Sequence, residues 1–159
     1  MKRYALLLLC IILVFSISFF DVSATETNEF IPYVTNFVVT TETNEESNTR
    51  ATGLIYAYRL TLSQNGTTLN IGGQTSCSIE VVKCGFKDLV IQRRKNSSDS
   101  WSDYYDYGNV YVETNSANLS TTLVVESGYQ YRISCKHYAK KNLLSIQTIS
   151  NTSNIVTAS

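Results

Sequence analysis

The feature that most limits what this chain can fold into is a two-residue alternation of apolar and polar side chains that recurs from Leu54 to Ile149. In its clearest instance one parity is apolar: Leu54, Tyr56, Tyr58, Leu60 and Leu62. Successive side chains of a β-strand point to opposite faces, so this pattern predicts half-buried strands. Because further short segments repeat it and no helix candidate follows residue 24, we predict an all-β fold. The expected architecture is a two-sheet antiparallel sandwich of about seven strands, with a small closed barrel as the alternative.

Turn residues divide the alternating pattern into elements. Asn65-Gly66 is a strong signal for a tight turn, so residues 54–75 are predicted to form a hairpin. Cys84-Gly85 interrupts the alternation and predicts a bulge. The apolar residues 89–91 have charged neighbours on both sides, which is typical of a central strand. The tyrosine-rich residues 101–112 are predicted to form one strand, or two with a break at Gly108-Asn109.

Residues 1–24 have the composition of a secretory signal peptide. Lys2 and Arg3 precede an apolar run over residues 5–20, and Val22-Ser23-Ala24 supplies small residues for a signal peptidase. The apolar run is shorter than the roughly 20 residues of a transmembrane helix. We therefore predict cleavage after Ala24, a secreted or cell-wall-associated protein, and no stable membrane anchor after cleavage.

Removing 24 of the 159 residues leaves 135, a size that fits one domain. Residues 25–50 form an acidic, partly apolar arm and linker, and residues 51–159 are predicted to form the sandwich domain. Within the arm, the apolar segment Phe30–Val39 is expected to pack on the domain as an extended edge, a place that suits Pro32. The alternative is an adhesive strand offered to a partner. The domain carries too little positive charge to indicate nucleic acid binding.

Three cysteines follow the predicted signal peptide, so at most one internal disulfide can form and one thiol is left over. Our preferred pair is Cys84 with Cys135, which would bridge the two sheets. Cys77 is an alternative partner for Cys135. Cys77 and Cys84 would need a sharp turn to meet, and three unpaired buried thiols are a further alternative.

Three segments resemble the fibronectin type III and immunoglobulin-like pattern: LVIQRR at residues 89–94, then Trp101, then GYQYRI at residues 128–133. The resemblance implies a sandwich in which a central strand leads to a tryptophan. In antibody domains a tyrosine stands two residues before the second cysteine. Here Ile133 has that position relative to Cys135, so the antibody-type tyrosine corner is not expected.

Residues 50–157 also resemble small secreted proteins of Gram-positive bacteria whose function is unknown. The phrases that carry this likeness are RATGLI at 50–55, KDLVIQR at 87–93, GYQYR at 128–132 and HYAK at 137–140. The likeness implies a bacterial exported protein and brings no activity with it.

A cluster of aromatic residues is the main candidate binding site. It consists of Trp101, Tyr104, Tyr105, Tyr107 and Tyr111. Flat aromatic rings stack on sugar faces, and Tyr and Trp are common anchors in protein interfaces. The competing interpretation is that most of these rings fill the sandwich interior. By strand parity, Tyr104 faces away from the other four.

The sequence offers little chemistry for catalysis or metal binding. His137 is the only histidine, expected at the loop end of its strand, and no Gly-x-Ser-x-Gly turn occurs. A Cys135–His137 nucleophile is disfavoured because Cys135 follows an apolar series and is expected to be buried. Asp99, Asp103 and Asp106 fit a solvated turn better than a calcium loop. We predict no catalytic residues, no metal and no cofactor.

These observations favour a secreted, non-enzymatic binding or interaction module. The alternative is a module that binds carbohydrate or a cell-wall polymer through the aromatic cluster. A small extracellular hydrolase using His137 is a weaker alternative. The expected partner is a cell-wall glycan or an extracellular protein.

Overall fold

The computed structural model describes residues 30–40 and 53–159. The predicted signal peptide and most of the acidic arm lie outside this part of the chain. The described residues form nine β-strands and no helix, and so contain no apolar helix that could cross a membrane. The strands are β1 (Tyr33–Thr40), β2 (Ile55–Asn65), β3 (Thr68–Cys77), β4 (Lys83–Arg94), β5 (Ser102–Val112), β6 (Ser116–Val124), β7 (Gln130–Asn142), β8 (Ser145–Thr152) and β9 (Val156–Thr157).

The strands form two sheets that pack face to face. Sheet A has the order β1-β6-β3-β2, and sheet B has the order β5-β4-β7-β8, with β9 pairing to the start of β7. All pairings are antiparallel. The predicted two-sheet sandwich is confirmed. The number of strands in the described residues exceeds the expected seven because the edge segment β1 and the short strand β9 also pair.

The strand order is that of an immunoglobulin-like sandwich. Strands β2, β3 and β6 correspond in place to strands A, B and E, and β5-β4-β7-β8 corresponds to C′-C-F-G. Strand β1 lies beside β6, where a constant-type domain has strand D, although β1 precedes β2 in the chain. The predicted edge segment Phe30–Val39 is therefore an edge strand added to sheet A.

The predicted hairpin is formed by β2 and β3. Asn65 pairs with Thr68, and Gly66 has a φ of 60° in the loop between them. The left-handed conformation that a tight hairpin turn needs is thus supplied by glycine, which adopts it without steric cost.

The bulge lies slightly further along β4 than predicted. Its register shifts between Phe86 and Leu89, where Asp88 has a φ of 52°. Gly85 continues the ladder with a φ of 147°, and a Cβ there would lie 2.1 Å from the carbonyl oxygen of Val110. Strand β5 is continuous through Gly108, so the prediction of a single strand is confirmed and the alternative of two strands is excluded.

The core lies between the two sheets and is built mainly from alternate residues of β3, β4, β6 and β7. Its largest fully buried side chains include Tyr131, Phe86, Leu69, Leu89, Ile91, Leu123 and Ile133. The predicted central strand around Leu89 and Ile91 is confirmed, because β4 has neighbours on both sides.

Tyr131 forms a tyrosine corner at the start of β7. Its hydroxyl donates a hydrogen bond of 2.8 Å to the backbone carbonyl of Glu126, five residues upstream. This corner is not of the antibody type, which the sequence did not match. Tyr131 stands four residues before Cys135, whereas the antibody-type tyrosine stands two residues before its cysteine.

Candidate functional site

The predicted disulfide between Cys84 and Cys135 is not formed. All three described cysteines are buried free thiols. In the ladder between β4 and β7, Cys84 pairs with Ala139, which lies four residues from Cys135. At about 3.3 Å per residue this offset separates the two positions by roughly 13 Å, well beyond disulfide reach.

His137 lies fully buried in the middle of β7, so the prediction that it lies at the loop end of the strand was wrong. Asn151 Nδ2 donates to His137 Nε2 at 3.2 Å, and His137 Nδ1 lies 2.7 Å from Thr75 Oγ1. Because Nε2 accepts, the neutral ring carries its proton on Nδ1 and donates it to Thr75. The Thr75 hydroxyl in turn donates to the carbonyl of Gly85 at 3.1 Å.

This network ties both sheets together and leaves His137 no free ring nitrogen. Burial lowers the pKa of His137 to about 4, so the ring is neutral at neutral pH. Burial also raises the pKa of the Cys135 thiol to about 12, which leaves it inert as a nucleophile. The geometry therefore gives the Cys135–His137 pair a structural place in the core.

The predicted aromatic cluster does not form one exposed platform. Trp101 lies over two guanidinium groups of sheet B, those of Arg94 at 4.4 Å and Arg132 at 4.3 Å. Tyr111 packs against Tyr138 with a ring separation of 4.7 Å. These rings are partly buried in contacts within the domain.

The other three aromatic residues of the cluster pack against the core. Tyr104 meets Tyr131 edge-on at 5.5 Å, Tyr105 meets Tyr107 at 4.8 Å, and Tyr107 stacks on Phe37 at 5.4 Å. The parity prediction for Tyr104 was wrong. The ladder passes from Tyr105 directly to Asp103, so Tyr104 is an extra residue in a bulge. Tyr104 and Tyr105 therefore both pack on the core.

The three aspartates of the turn region serve separate local roles. Asp99 accepts from the backbone and side chain of Asn96, and Asp106 accepts from the backbone of Gly108. Asp103 accepts from Gln92. Among residues 30–40 and 53–159, no group of three acidic, histidine or cysteine side chains is arranged to hold a metal ion.

A cleft of about 450 Å³ opens where the first residues of β5 face the segment that leads into β1. It is lined by Phe30, Pro32, Arg93, Ser102, Asp103, Tyr104 and Glu126. Of the predicted aromatic cluster, only Tyr104 contributes. The cleft combines an aromatic ring with charged and hydroxyl groups, a set that suits a polar ligand.

Arg93 organises one wall of this cleft. Its guanidinium pairs with Glu126 at 2.9 Å and lies over the rings of Tyr104 at 4.5 Å and Tyr129 at 4.6 Å. The ammonium group of Lys95 also lies over the Tyr129 ring, 4.3 Å from its centre. Sequence reasoning missed Arg93 and Glu126 as a pair. They are 33 residues apart and meet only because β4 and the start of β7 are neighbours.

Beside the cleft, the segment that contains β1 carries an exposed apolar row. Its exposed members are Phe30, Ile31, Tyr33, Phe37 and Val38. Within residues 30–40 and 53–159, β1 pairs with β6 on one side, and no described strand pairs with the backbone groups on its other side. Such an edge, with exposed apolar side chains, is a surface on which a second strand can pair.

Comparison with protein-family models, curated proteins and solved structures gave no match to this chain. The likenesses drawn from the sequence to the fibronectin type III pattern and to small secreted Gram-positive proteins stay predictions.

Proposed function

We propose that this protein is an exported, non-enzymatic interaction module whose ligand is an extended protein segment that pairs along the free edge of β1. The observation that supports this most directly is the exposure of apolar side chains on an edge strand. Tyr33, for example, is 56% exposed. Strand addition uses the backbone for affinity and alternate side chains for specificity.

The composition of β1 supports the same proposal. Soluble proteins usually protect an edge strand with charged side chains, proline or a very short length. Strand β1 has eight residues, YVTNFVVT, none of which is charged, and Pro32 precedes it. Of the other outer strands, β2 carries Arg59 and β5 two aspartates. Strand β8 has no charged residue either, but it exposes a single large apolar side chain, that of Ile146.

Acidic residues on both sides of β1 in the sequence indicate the charge of the partner. Glu26 and Glu29 precede the strand, and Glu42, Glu45 and Glu46 follow it. No Lys or Arg lies between residues 25 and 49. A partner segment with an apolar centre and basic flanks would complement this pattern, and its binding would weaken as salt is added.

The proposal is tested by selecting displayed random peptides on the protein and measuring the selected peptides against two variants. Tyr33→Lys with Val38→Lys places charge on β1, and Ile146→Lys is the matched control on the outer strand β8, where Ile146 is 52% exposed. We expect the β1 variant to weaken peptide binding at least tenfold, while the β8 control binds as the parent does. Equal binding by all three proteins, or no enriched peptide, would contradict the proposal.

The cleft favours a second candidate, a carbohydrate. Its arginine, carboxylates and tyrosine resemble the mixture of polar groups and rings that recognises sugar hydroxyls and faces. A glycan array with peptidoglycan fragments and teichoic acid tests this. Binding that is lost in Asp103→Ala and kept in Asp106→Ala, on the same strand outside the cleft lining, would favour the carbohydrate over the peptide.

A further inference from the structure

Cys77 and Cys84 lie where the chain passes from sheet A to sheet B. Cys77 is the last residue of β3, and Cys84 is the second residue of β4. The connection between the two strands contains a turn in which the Val81 N–H donates to the Ser78 carbonyl at 3.0 Å. The sharp reversal that these two cysteines need in order to meet is therefore present.

Contacts on either side hold the two strand ends together. The Thr75 hydroxyl donates to the carbonyl of Gly85 at 3.1 Å, which ties β3 to β4 two residues before Cys77 and one residue after Cys84. The backbone N–H of Cys77 also donates to the carbonyl of Asn115 at 2.9 Å. The positions of both cysteines are thus fixed by hydrogen bonds that do not involve sulfur.

Both side chains belong to the buried core at this end, 2% and 0% exposed, and each thiol lies close enough to the other to shift its pKa. The geometry points to a disulfide between Cys77 and Cys84 that joins sheet A to sheet B. Cys135 then stays as the single free thiol, which accounts for the odd number of cysteines after the predicted signal peptide.

The oxidant is a disulfide, either a small molecule or an oxidoreductase of the export compartment. One of the two cysteine thiols, for example that of Cys84, gives up its proton and its thiolate attacks one sulfur of that disulfide, which releases one thiol and leaves a mixed disulfide on this cysteine. The thiolate of Cys77, its proton likewise lost, then attacks Cys84 Sγ and releases the second thiol. Two protein thiols are oxidised, and one external disulfide is reduced to two thiols.

The contact between the two sulfurs belongs to the folded domain. There it lowers the pKa of Cys84 and, together with burial, raises the pKa of Cys77. Because both sulfurs are buried in the folded domain, the reaction belongs to the stage of folding before the sheets close.

Trypsin digestion without reduction tests the connectivity, since Lys83 lies between the two cysteines. The protein is refolded in a mixture of oxidised and reduced glutathione, alkylated and digested. We expect peptide 60–83 linked to peptide 84–87, and peptide 133–136, which contains Cys135, in alkylated form. A link from peptide 133–136 to either of the others, or alkylation of all three cysteines, would overturn the inference.

Thermal unfolding of the oxidised and reduced forms provides a second measurement. Closing the short loop of residues 77–84 in the unfolded chain should raise Tm by about 5–10 °C. Cys135→Ser is expected to keep this difference, and Cys77→Ser and Cys84→Ser are expected to abolish it. The same Tm difference in Cys77→Ser as in the parent would contradict the proposed bond.

Discussion

Strand β1 is richer in apolar residues than β7, five of eight against five of thirteen, yet β1 lies at the edge of its sheet and β7 in the interior of the other. Strand β7 pairs with β4 on one side and with β8 and β9 on the other, and its inward side chains are almost completely buried. Among the described strands, β1 pairs with β6 alone, and Phe37 on it is 43% exposed. Apolar composition therefore does not by itself assign a strand to the core, since the number of neighbours decides how much surface is removed from water.

The two strands also differ in the hydrogen bonds that tie them to the rest of the domain. On β7, His137 and Tyr131 make hydrogen bonds that link them to other strands and to the chain before β7. On β1, the side-chain hydroxyl of Thr121 on β6 donates to the carbonyl of Asn36, next to a bulge in the ladder. We expect the stability of the domain to depend on the surroundings of β7, while β1 can be altered without unfolding it.

The largest effect is expected from Phe86→Ala. Phe86 is fully buried on β4, with its ring 5.5 Å from that of His137 on β7. Replacing a buried phenylalanine by alanine removes its transfer free energy and leaves a cavity, which costs about 3–5 kcal/mol. Urea unfolding at neutral pH measures this loss. A loss below 1 kcal/mol would mean that the core around β7 does not carry the stability assigned to it.

Acid is expected to weaken the same region through His137. Its pKa is about 4 in the folded protein and 6.5 in the unfolded chain, so between these values the unfolded state binds more protons. The contribution of His137 is complete above pH 6.5 and is lost as the pH falls toward 4. The free energy of unfolding should fall by about 2 kcal/mol between pH 7 and pH 5.

Urea unfolding of the parent and of His137→Gln at both pH values checks this prediction. The variant has no group that titrates in this window at position 137, so its stability should change much less. The pKa of Asp88 is lowered by Lys136 from 3.8, so this carboxylate titrates below the window used. An equal decrease in parent and variant would assign the pH dependence to another group.

Removing only the hydroxyl of Tyr131 tests the tyrosine corner. Tyr131→Phe keeps the buried ring and deletes the hydrogen bond to the carbonyl of Glu126. The expected loss is about 1–2 kcal/mol, because the carbonyl is left without this donor. Tyr33→Phe on β1 is the matched control and should change the free energy of unfolding by less than about 0.5 kcal/mol. Equal losses in the two variants would mean that the Tyr131 hydroxyl stabilises the domain no more than an exposed hydroxyl on β1.

The sequence predicted those parts of the fold that depend on local periodicity. The alternation around Leu89 and around Tyr131 identified the central strands, and Asn65-Gly66 identified the hairpin, since neighbouring residues alone determine these features. It did not predict the bulge that brings Tyr104 and Tyr105 to the same side, because a bulge is a property of the ladder between two strands.

The candidate sites depend on register between distant strands, which a single sequence does not specify. Tyr104 was predicted as a binding residue and does line the cleft, but Arg93 and Glu126 join it only through the pairing of sheet B. The same holds for the cysteines. The sequence prediction paired Cys84 with Cys135 as a bridge between the sheets, whereas the turn between β3 and β4 places Cys77 near Cys84.

Phe37→Ala on β1 also removes a packed aromatic ring, and we expect it to lower the free energy of unfolding only slightly. Phe37 stacks on Tyr107 at 5.4 Å but is 43% exposed, so its removal deletes one ring contact and leaves a surface groove instead of a closed cavity. The loss should be about 1 kcal/mol, made up of the aromatic contact and partial burial, and well below that of Phe86→Ala. Urea unfolding of the two variants side by side gives this ratio. If Phe37→Ala cost as much as Phe86→Ala, β1 would be part of the core and loss of peptide binding in β1 variants could reflect unfolding. A small cost instead means that such a loss reports on the edge itself.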